Sequence, residues 1–150
     1  LAQLQRDLVA AERALANAAD AERAVALGID GLHVTNHGGR QIDALPASID
    51  ALPAIAAAVG GKATIIVDSG VRSGVDVARG IACGADAAFA GKAFLWSLGA
   101  LGEQGPGHLI DLFQEELSAT LGQLGCAAVG DLREATVRHA NAYGPGDFAA

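Results

Sequence analysis

A chain of 150 residues, 51% apolar and 18% charged, can bury one sizeable core without disulfides or metal. Its formal charge of −7 and pI near 4.8 exclude a nucleic-acid partner, because the positive charge that would release phosphate counterions is absent. No run approaches the roughly 18 uninterrupted apolar residues of a membrane span, and Gln3, Gln5, Arg6 and Asp7 replace the basic head and apolar core of a secretory signal. The expected location is cytoplasmic, at most peripheral to a membrane. Cys83 and Cys126 lie in Ala- and Gly-rich surroundings without metal-ligand spacing and read as reduced core thiols.

The first 19 residues, rich in Ala, Leu, Glu and Arg, read as helical. A helix over 20–28 follows, with Asp20 as cap, Ala21, Val25 and Leu27 on its apolar side and Gly28 as stop. Gly31 to Thr35 reads as a buried strand, with His33 a satisfied core histidine. Ser48 is placed to cap a helix in which Ile49, Leu52, Ile55, Ala56 and Val59 keep 3/4 spacing until Gly60-Gly61. Ala63 to Val67 is apolar and β-branched, as expected of a parallel strand covered on both faces. Ser73 and Asp76 form a capping-box variant opening a helix through Cys83, stopped by Gly84. A third strand is expected at Ala87 to Ala90, with Phe94 and Trp96 as packing residues. After a Gly-rich connection from Gly99 to Gly107, Leu109, Leu112, Phe113, Leu117, Leu121 and Leu124 describe an amphipathic helix closed by Gly125, and a last short helix starts at Asp131. His108, His139, Glu103, Glu115 and Glu116 read as surface residues.

Successive βα units imply a parallel sheet, either part of a (β/α)8 barrel or a doubly wound open sheet, and periodicity does not choose between them. In either case the loops after the strands should open on one face. The first loop holds His37 and Arg40 around a glycine pair, which brings an imidazole able to take a proton beside a guanidinium able to grip a carboxylate. Alone, this quartet also fits a surface turn. The second loop, Asp68-Ser69-Gly70-Val71-Arg72, and the third, Gly91-Lys92, each offer backbone amides and a cation, a pattern suited to phosphate, with Asp68 available to sugar-alcohol hydroxyls. The plain alternative is a cap at Asp68 and a solvated Arg72. Gly91-Lys92 lacks P-loop spacing.

Taken together, Thr35-Asn36-His37-Gly38-Gly39-Arg40-Gln41, Ala47 to Pro53, and Asp68 to Lys92 resemble the FMN-dependent 2-hydroxy-acid dehydrogenase and oxidase family, which includes glycolate oxidase, lactate oxidase, the flavin L-lactate dehydrogenases and mandelate dehydrogenase. The likeness runs from about Asp20 to Tyr143. It implies the C-terminal portion of a (β/α)8 TIM barrel, with residues 1–150 as one partial domain whose N-terminal half is absent. It implies FMN as cofactor and oxidation of a small 2-hydroxy acid, of lactate, glycolate or mandelate type, to the 2-oxo acid. His37 matches the family's base, Arg40 its substrate-carboxylate ligand, and Asp68, Ser69, Gly70, Val71, Arg72, Gly91 and Lys92 its FMN site. A homo-oligomer or a missing half is expected to complete the molecule, with the electron acceptor left open among oxygen, quinone and cytochrome.

This sequence departs from the family pattern at three of these positions. Lys92 stands where Arg is usual, Ser69 where many members have Gly, and Ala93 where many have Pro. The family's lysine near flavin N1 has no clear counterpart; its position falls near Arg13, in a helical stretch, and the role is not carried over. Two rivals remain: another FMN- or phosphate-binding barrel enzyme such as an inosine-monophosphate dehydrogenase or an isomerase, and a truncated remnant without catalysis. The Asn36 to Arg40 motif weighs against the first rival, since a carboxylate clamp beside a base suits a hydroxy acid.

Overall fold

The computed structural model describes residues 18–135. Helix α1 (Ala18–Ala26) leads into strand β1 (Gly31–Val34), a 3-10 turn (His37–Gly39), helix α2 (Ser48–Val59), strand β2 (Thr64–Val67), helix α3 (Gly74–Ala82) and strand β3 (Ala87–Ala88). Helix α4 (Lys92–Leu101), a 3-10 turn (Gly102–Gln104), helix α5 (Gly105–Leu124) and a final 3-10 turn (Val129–Arg133) complete the order. The strands are parallel and lie in chain order β1-β2-β3, with Val34 opposite Val67 and Val67 opposite Ala88. The expected parallel arrangement is therefore observed, and all three loops leave the same strand ends.

Alternation along the strands decides which face is core. Leu32, Val34, Ile65 and Val67 are buried against Ala21, Ala24, Leu52, Ile55 and Val59 of α1 and α2, the apolar burial that fixes register by side-chain period. The other face, carrying His33, Thr64 and Ile66, is not closed over by the described residues, where strands covered on both faces were expected. On that face His33 is partly exposed among the described residues, where a core histidine was expected. Its side chain is 45% exposed, 3.6 Å from the Asp68 carboxylate and edge-on to Phe89.

A second core forms where Ala78 and Ile81 of α3 meet Leu132, flanked by Leu117 and Leu121 of α5. Two glycines let helices approach: a Cβ on Gly74 would sit 2.3 Å from the Phe113 carbonyl, and one on Gly105 would sit 2.0 Å from the Ser97 carbonyl. Cys83 and Cys126 are free thiols, as expected, and burial pushes the Cys83 thiol above its ordinary range.

Several local expectations change. Asp20 lies within the first turn of α1 rather than capping it. Ser48 is the first helical residue of α2, after Ala47 at the cap, and its buried hydroxyl has no partner among the described residues. β3 ends at Ala88; Phe89 still donates to the Val67 carbonyl, and the chain then turns into α4. That helix went unrecognised in the sequence, and Trp96 on it is 55% exposed instead of packed. Leu112 and Leu124 fall outside the packed stripe of α5, and Val129–Arg133 is a 3-10 turn in place of a helix starting at Asp131. The helical reading of the first residues and the surface reading of His139 fall outside the described residues, apart from Ala18 and Ala19 in α1. Among the described residues no helix is long and apolar enough to cross a membrane, and no cluster of His, Cys, Asp or Glu could hold a metal.

Candidate active site

A cleft of about 740 Å³ opens at the C-terminal ends of the strands. His37, Arg40, Asp68, Ser69, Gly70, Val71, Arg72, Gly91 and Lys92 all line it, so every residue singled out from the sequence is brought to one place. His37 begins the 3-10 turn at φ +54°, in the left-handed region that a non-glycine residue rarely adopts. Its amide donates to Thr35 Oγ1 at 3.0 Å, and Gly38 N donates to Asn36 Oδ1 at 3.0 Å. Arg40 closes the turn. The His37 imidazole and the Arg40 guanidinium are exposed and bond to no other described residue, leaving both free for a ligand.

The second loop divides its polar groups between fold and cleft. Asp68 accepts from Thr35 Oγ1 at 3.2 Å and from Ser69 N at 2.6 Å. At the start of α3, Ser73 Oγ accepts from Asp76 N at 3.1 Å, Asp76 accepts from Arg72 N at 3.1 Å, and Glu116 reaches across from α5 to accept from Gly74 N at 2.7 Å. Glu116 is thus a capping carboxylate and not merely a solvated surface residue. With these amides occupied, the N-terminus of α3 has little left to offer an anion. The amides of Gly70 and Val71, by contrast, have no partner among the described residues.

The third loop is arranged the opposite way. Helix α4 starts at Lys92 after Gly91 with no side-chain cap, so the first amides of the helix have no partner among the described residues at its positive end. Lys92 Nζ donates to the Gly38 carbonyl at 2.8 Å, bridging the third loop to the first with one of its three protons. Arg72 lies over the Trp96 ring, 5.2 Å from guanidinium carbon to centroid, which holds that cation at the cleft edge. Uncapped helix amides, two further free amides, a guanidinium and an ammonium form a donor set that fits a phosphate monoester. Val71 contributes its amide only, since its side chain is buried. Trp96 and Glu116, passed over in the sequence reading, lie 24 and 42 positions from the groups they hold, a separation at which sequence pattern carries no signal.

The sequence profile of the FMN-dependent dehydrogenase family matches residues 14–139. An L-lactate dehydrogenase of Bartonella quintana is 51% identical over 113 residues, covering 75% of this chain and 30% of the relative. An L-lactate oxidase of Nostoc sp. is 45% identical over 113 residues, covering 75% of this chain and 31% of the relative. A solved mandelate oxidase variant carrying an FMN monooxide adduct superposes with a TM-score of 0.76 at 42% identity, over 81% of this chain and 39% of that one. The chain spans about a third of the length of the relatives it matches. The structural neighbours are TIM-barrel oxidases, so the three strands and their helices have the fold of the C-terminal portion of such a barrel.

Proposed function

Because the chain belongs to the FMN-dependent dehydrogenase family, we propose that it carries the proton-accepting and cofactor-phosphate part of an enzyme that oxidises a small 2-hydroxy acid, of lactate or mandelate type, to the 2-oxo acid. The observation that carries this reading is the single cleft in which a free imidazole and a free guanidinium face an uncapped, cation-flanked helix terminus. The flavin-ring walls lie outside the described residues.

The amides of Gly70, Val71 and the first turn of α4, with Lys92 and Arg72, hold the FMN phosphate. FMN, when bound, supplies the acceptor for the two electrons that leave the substrate's C2 unit. Arg40 pairs with the substrate carboxylate through two parallel hydrogen bonds and sets its orientation. Oxidation of a 2-hydroxy acid releases two protons as well, and His37 takes one of them from the C2–OH unit on its exposed imidazole. The L-lactate dehydrogenase and oxidase names of the relatives support a lactate-sized acid, and the mandelate oxidase neighbours support tolerance of a larger group at C2.

The test is anaerobic mixing of the purified flavin-loaded protein with L-lactate and with mandelate, following the oxidised-flavin absorbance, after the extracted cofactor has been identified by chromatography. FMN and bleaching by a 2-hydroxy acid are expected. Recovery of FAD, or bound FMN that no 2-hydroxy acid bleaches, overturns the proposal.

A further inference from the structure

Ser69 stands at φ +77°, one of two non-glycine residues with positive φ among the described residues, the other being His37. A side chain in this region is strained, and such strain persists where surrounding bonds over-determine it. The bonds are on the page. Ser69 Oγ lies 2.8 Å from Thr35 Oγ1, 3.2 Å from Asn36 N and 3.0 Å from Gly38 N. Backbone N–H groups can only donate, so Ser69 Oγ accepts from both amides and gives its one proton to Thr35. Thr35 Oγ1 accepts in addition from His37 N and passes its own proton to the Asp68 carboxylate. Every donor and lone pair of the two hydroxyls is then used. Three consecutive amides, those of Asn36, His37 and Gly38, hang on them.

We infer that Ser69 is a positioning residue for His37: its hydroxyl fixes the main chain at 36–38, and with it the place of the imidazole, in place of contacting the cofactor. The Ser69 amide is also spent, on Asp68 Oδ1 at 2.6 Å, so neither of its donors faces a phosphate. The direction of the chain from Ser69 through Thr35 to Asp68 follows from the carboxylate at its end, which accepts only. A glycine at this position would relieve the backbone but leave the Asn36 amide without its acceptor and Gly38 with Asn36 Oδ1 alone. This inference rests on the proposed role of His37 for its catalytic consequence, though not for its structural one.

Two variants separate the hydroxyl from the strain. Ser69→Ala removes the hydroxyl and keeps the strained φ, whereas Ser69→Gly removes both, so the Gly variant is expected to melt higher than the Ala variant by a few degrees, about 2–5 °C. Amide hydrogen exchange at Asn36 and Gly38, measured on the intact protein without reference to flavin, should quicken by about tenfold in both variants. In the flavin-loaded protein both should slow flavin reduction at saturating substrate by about tenfold, while substrate KM and FMN affinity change less than about threefold. Activity that recovers with melting temperature in the Gly variant would reduce Ser69 to a stability residue and overturn the inference. So would unchanged exchange at both amides, or an FMN affinity that falls by more than about tenfold, which would make Ser69 a cofactor contact. If the parent protein binds no FMN, the proposed function fails and the exchange experiment alone decides whether Ser69 holds the loop.

Discussion

The two ends of the three-stranded sheet are built on opposite principles. At the C-terminal ends, His37 and Ser69 hold positive φ, cations at Arg40 and Arg72 lie exposed, and the amides of Gly70, Val71 and early α4 have no partner among the described residues. At the N-terminal ends, polar groups are matched. Asp86 accepts from Ile65 N at 2.7 Å and pairs with Arg133, which also donates to the Ala85 carbonyl at 3.2 Å. The Ile65 amide and then Arg133 hold the Asp86 carboxyl below its ordinary range. One end carries unmet donors and strain, which is what a ligand can satisfy; the other carries satisfied bonds, which is what holds strands in register.

If the contrast is real, variants at the two ends should fail in different currencies. The largest effect is expected at His37: replacement by Gln should lower the rate of flavin reduction by about a hundredfold or more with the melting temperature unchanged, since its ring bonds to no other described residue. Stopped-flow traces would check this, and an active variant would remove His37 from the role of base. Arg40→Lys comes next, with KM for the hydroxy acid raised about tenfold through loss of the planar fork and a smaller fall in maximal rate. Steady-state kinetics on both constants measure the split.

The opposite end should answer only in stability. Arg133→Met is expected to cost about 1 kcal/mol in urea melts, because a half-exposed charged pair is screened, while leaving FMN affinity as it was. The smallest effect is in pH. A carboxyl whose folded pKa is depressed contributes stability that is present above its unfolded pKa and lost as pH falls through the folded value. Asp86→Asn should therefore lower the melting temperature slightly at pH 7, where that contribution is fully present, and flatten the acid limb of the profile, so that variant and parent converge as pH falls below the ordinary carboxylate range. A variant with an unaltered acid limb would show that Asp86 does not supply this dependence.

How much of this was legible in the sequence follows the range of the interactions. The α2 stripe, the β-branched run of β2 and the Ser73–Asp76 cap are local, and each was read within a residue or two. Helix α4 was not, because Lys92 to Leu101 is apolar almost all round and shows no period to detect. Residues from all three motifs line one cleft. What they could not divide was labour within the second loop: the bonds of Ser69 to Thr35 and Asn36 span 34 and 33 positions, so a residue that looked like part of a phosphate cradle spends its hydroxyl on the neighbouring loop.

The glycines at 74 and 105 carry a lesson for anyone proposing substitutions in this chain. Neither has a positive φ, so alanine at either would pass a backbone-angle check and would raise intrinsic helix propensity. Yet the added methyl at Gly105 would meet the Ser97 carbonyl at 2.0 Å, and at Gly74 it would meet the backbone of α5, atoms with no rotamer to turn aside. A propensity-guided stabilisation library would rank both changes as gains, whereas the collision makes them wedges between helices. At these two positions the freedom to vary is thus set by the distance between two backbones.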